Sequence, residues 1–213
     1  MIYLSGDYRT TRFCPAFGDI QTKKDDLVEL IRKKHPRAED LHAIISPNKS
    51  EYKIPFMNVY NSKCSYCGVS IDIIPKDNFE IDHYIYKKNK LKFKTVAKAG
   101  HMDNLVLACR RCNHQKSSHT VPDNFLDTLH PDLDQLKSVF TRDEDFGISI
   151  AKEYIGSPVI REFYDKLQLG QEVHRLDFLL MEMLGLQNSG VSLEKYRTLG
   201  EAIKILKRKR NLL

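Results

Sequence analysis

The sequence predicts an α+β chain: a small unit of strand and helix, bracketed by cysteines, lies between two helical flanks. Three observations carry this. Two identical pairs, Cys64-Ser-Tyr-Cys67 and Cys109-Arg-Arg-Cys112, enclose a middle segment. Inside it Phe79 and Ile81 alternate with Glu80 and Asp82, the period of a half-buried strand. Outside it the apolar residues recur at helical spacing. The expected organisation is a helical extension over 1–59, the bracketed unit over 60–119, and a helical region with a basic tail over 120–213.

With 213 residues, 41% of them hydrophobic, the chain is long enough to bury a core. Its longest apolar runs, such as Leu105 to Cys109, fall far short of the roughly twenty residues a bilayer needs. Asp7, Arg9 and Arg12 interrupt the apolar stretch a secretory signal requires. A membrane partner is excluded on these grounds, and the expected location is the cytoplasm.

In the first flank, Ile20, Leu27, Leu30 and Ile31 stand among charged residues, which predicts an amphipathic helix over 19–34 ended by His35-Pro36. Ser46-Pro47-Asn48 and the region of Pro55 read as loops leading to the first cysteine pair.

A two-residue gap lets one tight turn aim two sulfurs at one ion, so two such turns build a four-thiolate cage. Cys64, Cys67, Cys109 and Cys112 are therefore the expected ligands of a structural zinc ion, with iron the rival metal. A closed cage has no open coordination position, so its work is to staple the two ends of the segment together. Cys14 is left over and reads as a small, partly buried hydrophobe.

Between the staples the chain runs from the Asp82-His83 strand end through Lys87, Lys88, Lys90, Lys92, Lys94 and Lys98 to the turn Ala99-Gly100. Asn104 and an apolar run follow, and a helix opens at the second pair, with Asn113 and Lys116 on one face. Residues 60–119 hold eleven basic against five acidic residues, equal to the whole-chain surplus of +6. The span 120–203 holds eight against fifteen, and the last ten residues five against none. Phosphate attraction is thus expected at the lysine-rich loop, while the acidic span is free for a protein partner.

The pattern Cys64-x-x-Cys67, Ile81-Asp82-His83, Asn104-Leu105-x-x-x-Cys109-x-x-Cys112-Asn113-x-x-Lys116 resembles the HNH nucleases, whose fold is the ββα-metal or His-Me finger. It departs from the name-giving pattern in having Asn113 at the third motif position, where the family also includes asparagine. The chemistry suits these residue types. A histidine is the side chain able to deprotonate water near neutral pH, which makes His83 the candidate general base. Asp82 and Asn113 offer hard oxygen ligands for a catalytic Mg²⁺ or Mn²⁺. The resemblance assigns Asn104 to hold the base in one orientation, and Lys116 would contact a phosphate as a point charge. Of the neighbours, Glu80 shares the strand face of Asp82 but reads as an exposed position, and Tyr66 as packing. His101, His114 and His119 read as turn or surface residues.

Beyond the unit, Ile160, Phe163, Tyr164 and Leu167 fall at helical spacing, as do Val173, Leu176, Leu179, Leu180, Met183 and Leu184. Lys204, Lys207, Arg208, Lys209 and Arg210 read as a phosphate clamp or a solvated end. His130-Pro131-x-Leu133 followed by Phe163-Tyr164-x-Lys166-Leu167 is similar to HNH proteins of bacterial anti-phage systems, Septu-type and retron-associated nucleases among them, a likeness that implies a separately encoded ATPase partner. The chain has no Gly-x-x-x-x-Gly-Lys loop of its own. The expected function is a metal-dependent DNA endonuclease. The alternatives are a zinc-stapled nucleic-acid or protein binding module without turnover, and an RNA-cleaving toxin.

Overall fold

A computed structural model describes residues 6–211. Helix α1, Ile20–Lys34, begins where the Asp19 carboxylate accepts from the Thr22 amide and ends at His35, as the apolar spacing predicts. Two short helices follow, α2 (Leu41–Ile45) and α3 (Lys53–Val59), the latter packed on α1. Strand β1 (Phe79–His83) pairs antiparallel with β2 (Leu105–Cys109), so that His83 lies opposite Leu105 and Phe79 opposite Cys109. The connection between them carries the lysines and a one-turn helix, α4 (Val96–Ala99). Helix α5, Arg110–Lys116, starts directly at the second cysteine pair, where Cys109 Sγ accepts from the Cys112 amide. Strand, strand and helix thus form a ββα unit.

The C-terminal flank contains α6 (Leu126–Leu129), α7 (Leu136–Val139), a hairpin of β3 (Phe140–Arg142) and β4 (Ile148–Ile150), then α8 (Pro158–Lys166), α9 (Glu172–Asn188) and α10 (Leu193–Arg210). The hairpin departs from the expected all-helical region. Each of its strands has three residues, too few to print a period of two on the sequence. Helix α9 is also turned relative to its expected stripe. Val173, Leu176 and Leu180 are buried, but so are His174 and Asp177, while Leu179, Met183 and Leu184 are half-buried. No helix of the described residues is long and apolar enough to cross a membrane.

One hydrophobic cluster draws on all three segments, with Ile31, Leu105 and Phe163 each fully enclosed. Buried polar groups join the segments as well. Arg9 donates to the carbonyls of Ser65 and Pro131 at 2.8 and 2.7 Å, and Tyr8 Oη donates to the Tyr66 carbonyl at 2.6 Å. The Lys24 ammonium, with no solvent exposure, donates to the carbonyls of Met102 and Leu105 and to Asp132 Oδ2. Tyr60 Oη donates to Asp132 Oδ1 at 2.9 Å and to the Leu105 carbonyl at 3.2 Å. Two flanks therefore meet at the first residue of β2. Gly68 shows how close this packing is: its φ is +81, and a Cβ there would run into the Arg9 carbonyl.

Removing one member of such a buried pair strands the other's charge, at a cost of about 3–5 kcal/mol. Lys24→Met is expected to lose about this much in urea unfolding, and Lys24→Met with Asp132→Asn to lose clearly less than the two single changes combined. Strict additivity would show that the pair is not coupled.

Candidate active site

The first cysteine turn is closed by Gly68 N donating to the Cys64 carbonyl and by Cys64 N donating to the Val69 carbonyl, both at 2.9 Å. The second sits at the junction of β2 and α5. These two turns bring Cys64, Cys67, Cys109 and Cys112 together, all buried, with their sulfurs within 4.8 Å of one another. Cys67 Sγ and Cys109 Sγ are 3.8 Å apart. Four sulfurs at about 2.3 Å from a tetrahedral zinc ion lie about 3.8 Å from each other, so the donors fit that ion. Among the described residues this is the group of three or more His, Cys, Asp and Glu side chains that could hold a metal.

The end of β1 forms a separate cleft of about 200 Å³, lined by His42, Asp82, His83, Tyr86, Lys87 and Asn113 among others. Three of the expected residues, Asp82, His83 and Asn113, thus converge there. Asp82 is 6% exposed, and its Oδ2 accepts from Tyr66 Oη at 2.8 Å and lies 3.2 Å from Lys116 Nζ. Burial pushes its carboxyl up to about 6, against the opposing pull of the Lys116 charge and the Tyr66 hydroxyl. Asn113 Nδ2 donates to Glu80 Oε2 at 2.6 Å, which leaves the amide oxygen for the cleft. Glu80 is more engaged than an exposed strand position: Oε1 accepts from Arg110 at 3.0 Å, and Oε2 lies 3.5 Å from His114 Nε2.

His83 is half-buried, and burial, then the neighbouring His42, Lys87, Lys116 and His101 charges, hold its imidazole down to about 3. The ring that packs on it is His42, with centroids 4.3 Å apart and planes inclined at 36°. His42 Nε2 is bonded to the Ile81 carbonyl at 3.1 Å. Helix α2 reaches this place because the Leu41 and His42 amides both donate to the Gly100 carbonyl and the Asp40 carboxylate caps the Ala43 amide. A Cβ at Gly100 would collide with Asp40, so the turn signal Ala99-Gly100 also serves as a docking point for the N-terminal flank.

Two expected roles need correction. Lys116 does not face a phosphate: it is 2% exposed, and its ammonium donates to the His83 carbonyl at 2.9 Å and the Tyr84 carbonyl at 3.4 Å besides meeting Asp82. A lysine on the inner face of α5 satisfies carbonyls at the end of β1 that would otherwise be buried unpaired. Asn104 does not hold the imidazole either. Its Oδ1 accepts from the Ile85 amide at 2.7 Å, and its Nδ2 donates to the carbonyls of Ile85 and Ala99. It fixes the backbone just after His83. Of the loop lysines, Lys87 lines the cleft, while Lys92 pairs with Asp123 and Lys98 with Glu39.

Tyr66 and His42 are contacts of Asp82 and His83 that spacing did not reveal. Tyr66 stood inside a cysteine turn and His42 forty-one positions before the base, and no local pattern links either to Asp82-His83.

A hairpin ending in Asp-His, a helix bringing an asparagine to it, and a cysteine cage at their junction define the unit. Residues 64–119 match the HNH endonuclease family model. No curated protein and no solved structure matches the chain. The HNH segment begins at the first cage residue and ends three residues beyond α5, so it contains both the cage and the strand end. It ties the chain to nuclease or nucleic-acid-binding chemistry. His42 comes from outside it.

The wild-type chain is expected to bind one zinc ion, and Cys109→Ser to lose both the ion and the cooperative unfolding transition, as measured by metal analysis and thermal unfolding. A metal-free Cys109→Ser protein that unfolds like wild type would show that the cage does not hold the unit together.

Proposed function

We infer that this chain is a metal-dependent endonuclease that hydrolyses phosphodiester bonds of DNA, leaving a 5′ phosphate and a 3′ hydroxyl. The observation that carries this is the convergence of Asp82, His83 and Asn113 on one cleft beside a separate cysteine cage, in a segment matching the HNH family. His83 takes a proton from the attacking water as the bond from phosphorus to the 3′ oxygen breaks. Its depressed proton affinity keeps the ring neutral at neutral pH, and an entering phosphodiester brings the negative charge that raises this affinity again. Asp82 and the Asn113 amide oxygen are the hard donors that would hold Mg²⁺ or Mn²⁺. Such an ion, when bound, supplies Lewis-acid stabilisation of charge on the phosphate and the departing oxygen.

The other residues position these groups. Tyr66 and Lys116 fix the Asp82 carboxylate through one oxygen. Glu80 fixes the Asn113 amide. Asn104 anchors the turn after the base, and His42 packs against the base itself. A zinc-stapled binding module without turnover is the second reading. It is favoured by the ion pair of Asp82 with Lys116, which partly neutralises the carboxylate before any cation arrives.

Plasmid nicking with Mg²⁺ or Mn²⁺ separates these. His83→Ala is expected to lower the rate by about 10²–10⁴ while leaving the fold intact. Equal nicking by both proteins would remove His83 as the base. Asn113→Ala should raise the metal concentration needed for half-maximal rate, with partial recovery at high metal. His42→Ala should lower kcat more than it raises KM, and His42→Phe, which keeps a ring against the base, should recover part of the loss; a pure KM effect would instead make His42 a substrate contact.

A further inference from the structure

On the other side of α5 lies a pocket of about 410 Å³ that the chemistry above does not use. Its polar lining includes Arg110, Arg111 and His114 from α5, His174 and Asp177 from α9, and Arg210 from the end of α10. Three guanidinium groups therefore converge from two distant stretches of sequence, against one carboxylate. Arg210 spans Asp177 with contacts of 2.7 and 3.4 Å, Arg110 reaches Glu80 and the Asp77 carbonyl, and Arg111 donates to Gln171 Oε1 at 2.6 Å. Each guanidinium has its N–H donors in a fixed fork, so these contacts orient the groups at the pocket.

The decisive member is His174. It is 2% exposed, it lines the pocket, and neither of its ring nitrogens has a hydrogen-bond partner. An unsatisfied buried polar group is destabilising, a cost α9 would avoid by carrying an apolar residue there. An orphaned ring beside oriented arginines matches an acceptor-rich anion, with oxygens for the histidine N–H and for the guanidinium forks.

We propose that this pocket is a second phosphate subsite, which takes a backbone phosphodiester of the nucleic-acid substrate next to the one held in the catalytic cleft. This rests on the nuclease reading above for the identity of the ligand. The two places share α5: Asn113 lines the cleft, Arg110, Arg111 and His114 line the pocket, and Glu80 touches Arg110, His114 and Asn113 together. A seven-residue helix is about 10 Å long, so the phosphate held here lies within a few nucleotides of the scissile one. Arg210 belongs to the basic C-terminal run, which this assigns to substrate through its last helical residue.

The test is fluorescence anisotropy of a labelled DNA duplex with the zinc-loaded full chain, without added Mg²⁺ or Mn²⁺, over a range of salt concentrations. Arg111→Gln, at a half-buried and replaceable position, is expected to weaken binding about tenfold at low salt and to reduce the slope of log affinity against log salt by about 0.9. His174→Phe keeps an aromatic ring and removes the donor; it should weaken binding a few-fold with an unchanged slope, since no charge is lost. Wild-type affinity and slope in Arg111→Gln overturn the subsite, as does a wild-type chain that does not bind the duplex. If inorganic phosphate raises the unfolding temperature of wild type but not of Arg111→Gln, while both bind the duplex equally, the pocket serves a free anion and the proposal also fails. A wild-type chain that binds with the expected Arg111 dependence but cuts nothing with Mg²⁺ or Mn²⁺ leaves the subsite standing and removes the nuclease reading alone.

Discussion

Four buried sulfurs within 4.8 Å of one another are the constraint on which the rest of this chain depends. Packed as thiols they would bury four weak hydrogen-bonding groups at the junction of β2 and α5, while as thiolates around a divalent ion they become the strongest crosslink in the unit. The junction matters because the two-stranded sheet is too small to be stable alone. By fixing where β2 ends, the cage fixes the start of α5, and with it the place where Asn113 meets the cleft at the end of β1.

The second organising principle is the use of buried cations to close backbone. Lys116 satisfies the carbonyls of His83 and Tyr84, Lys24 those of Met102 and Leu105, and Arg9 those of Ser65 and Pro131. Arg9 and Lys24 lie where the flanks meet the middle segment, and Lys116 lies where α5 meets the end of β1. An apolar side chain could fill the same volume but would make none of these bonds. The basic surplus of the middle segment is therefore not wholly a surface property, since Lys116 is enclosed and two of the loop lysines are paired to carboxylates.

Electrostatic division along the chain takes on a different meaning in three dimensions. The acidic span 120–203 does not form a separate acidic body. Some of its carboxylates turn inward to meet cations of the other segments, as Asp132 does with Lys24 and Asp177 with Arg210. Basic groups remote in sequence, Arg111 and Arg210, come to line one pocket instead. Summed charge along a sequence describes attraction at long range, whereas the placement of each partner decides which charges remain to act at short range.

The sequence by itself determined the cage, because a matched pair of two-residue gaps leaves few chemical options, and it determined α1, the strand ending in Asp82-His83 and the helix at the second pair, because period and punctuation are local properties. It also pointed to Asp82, His83 and Asn113 as one group through their order between the cysteines. Only the tertiary structure decided what those residues touch. Lys116 and Asn113 share a helix face in the sequence pattern, yet one is sealed against β1 and the other borders the cleft, because a helix face has a centre that is covered and an edge that is not. His42 against His83, Tyr66 against Asp82 and Arg210 beside Arg111 are meetings between segments that no spacing rule connects; they arise from how the flanks pack around the small ββα unit, and packing is a property of the whole chain.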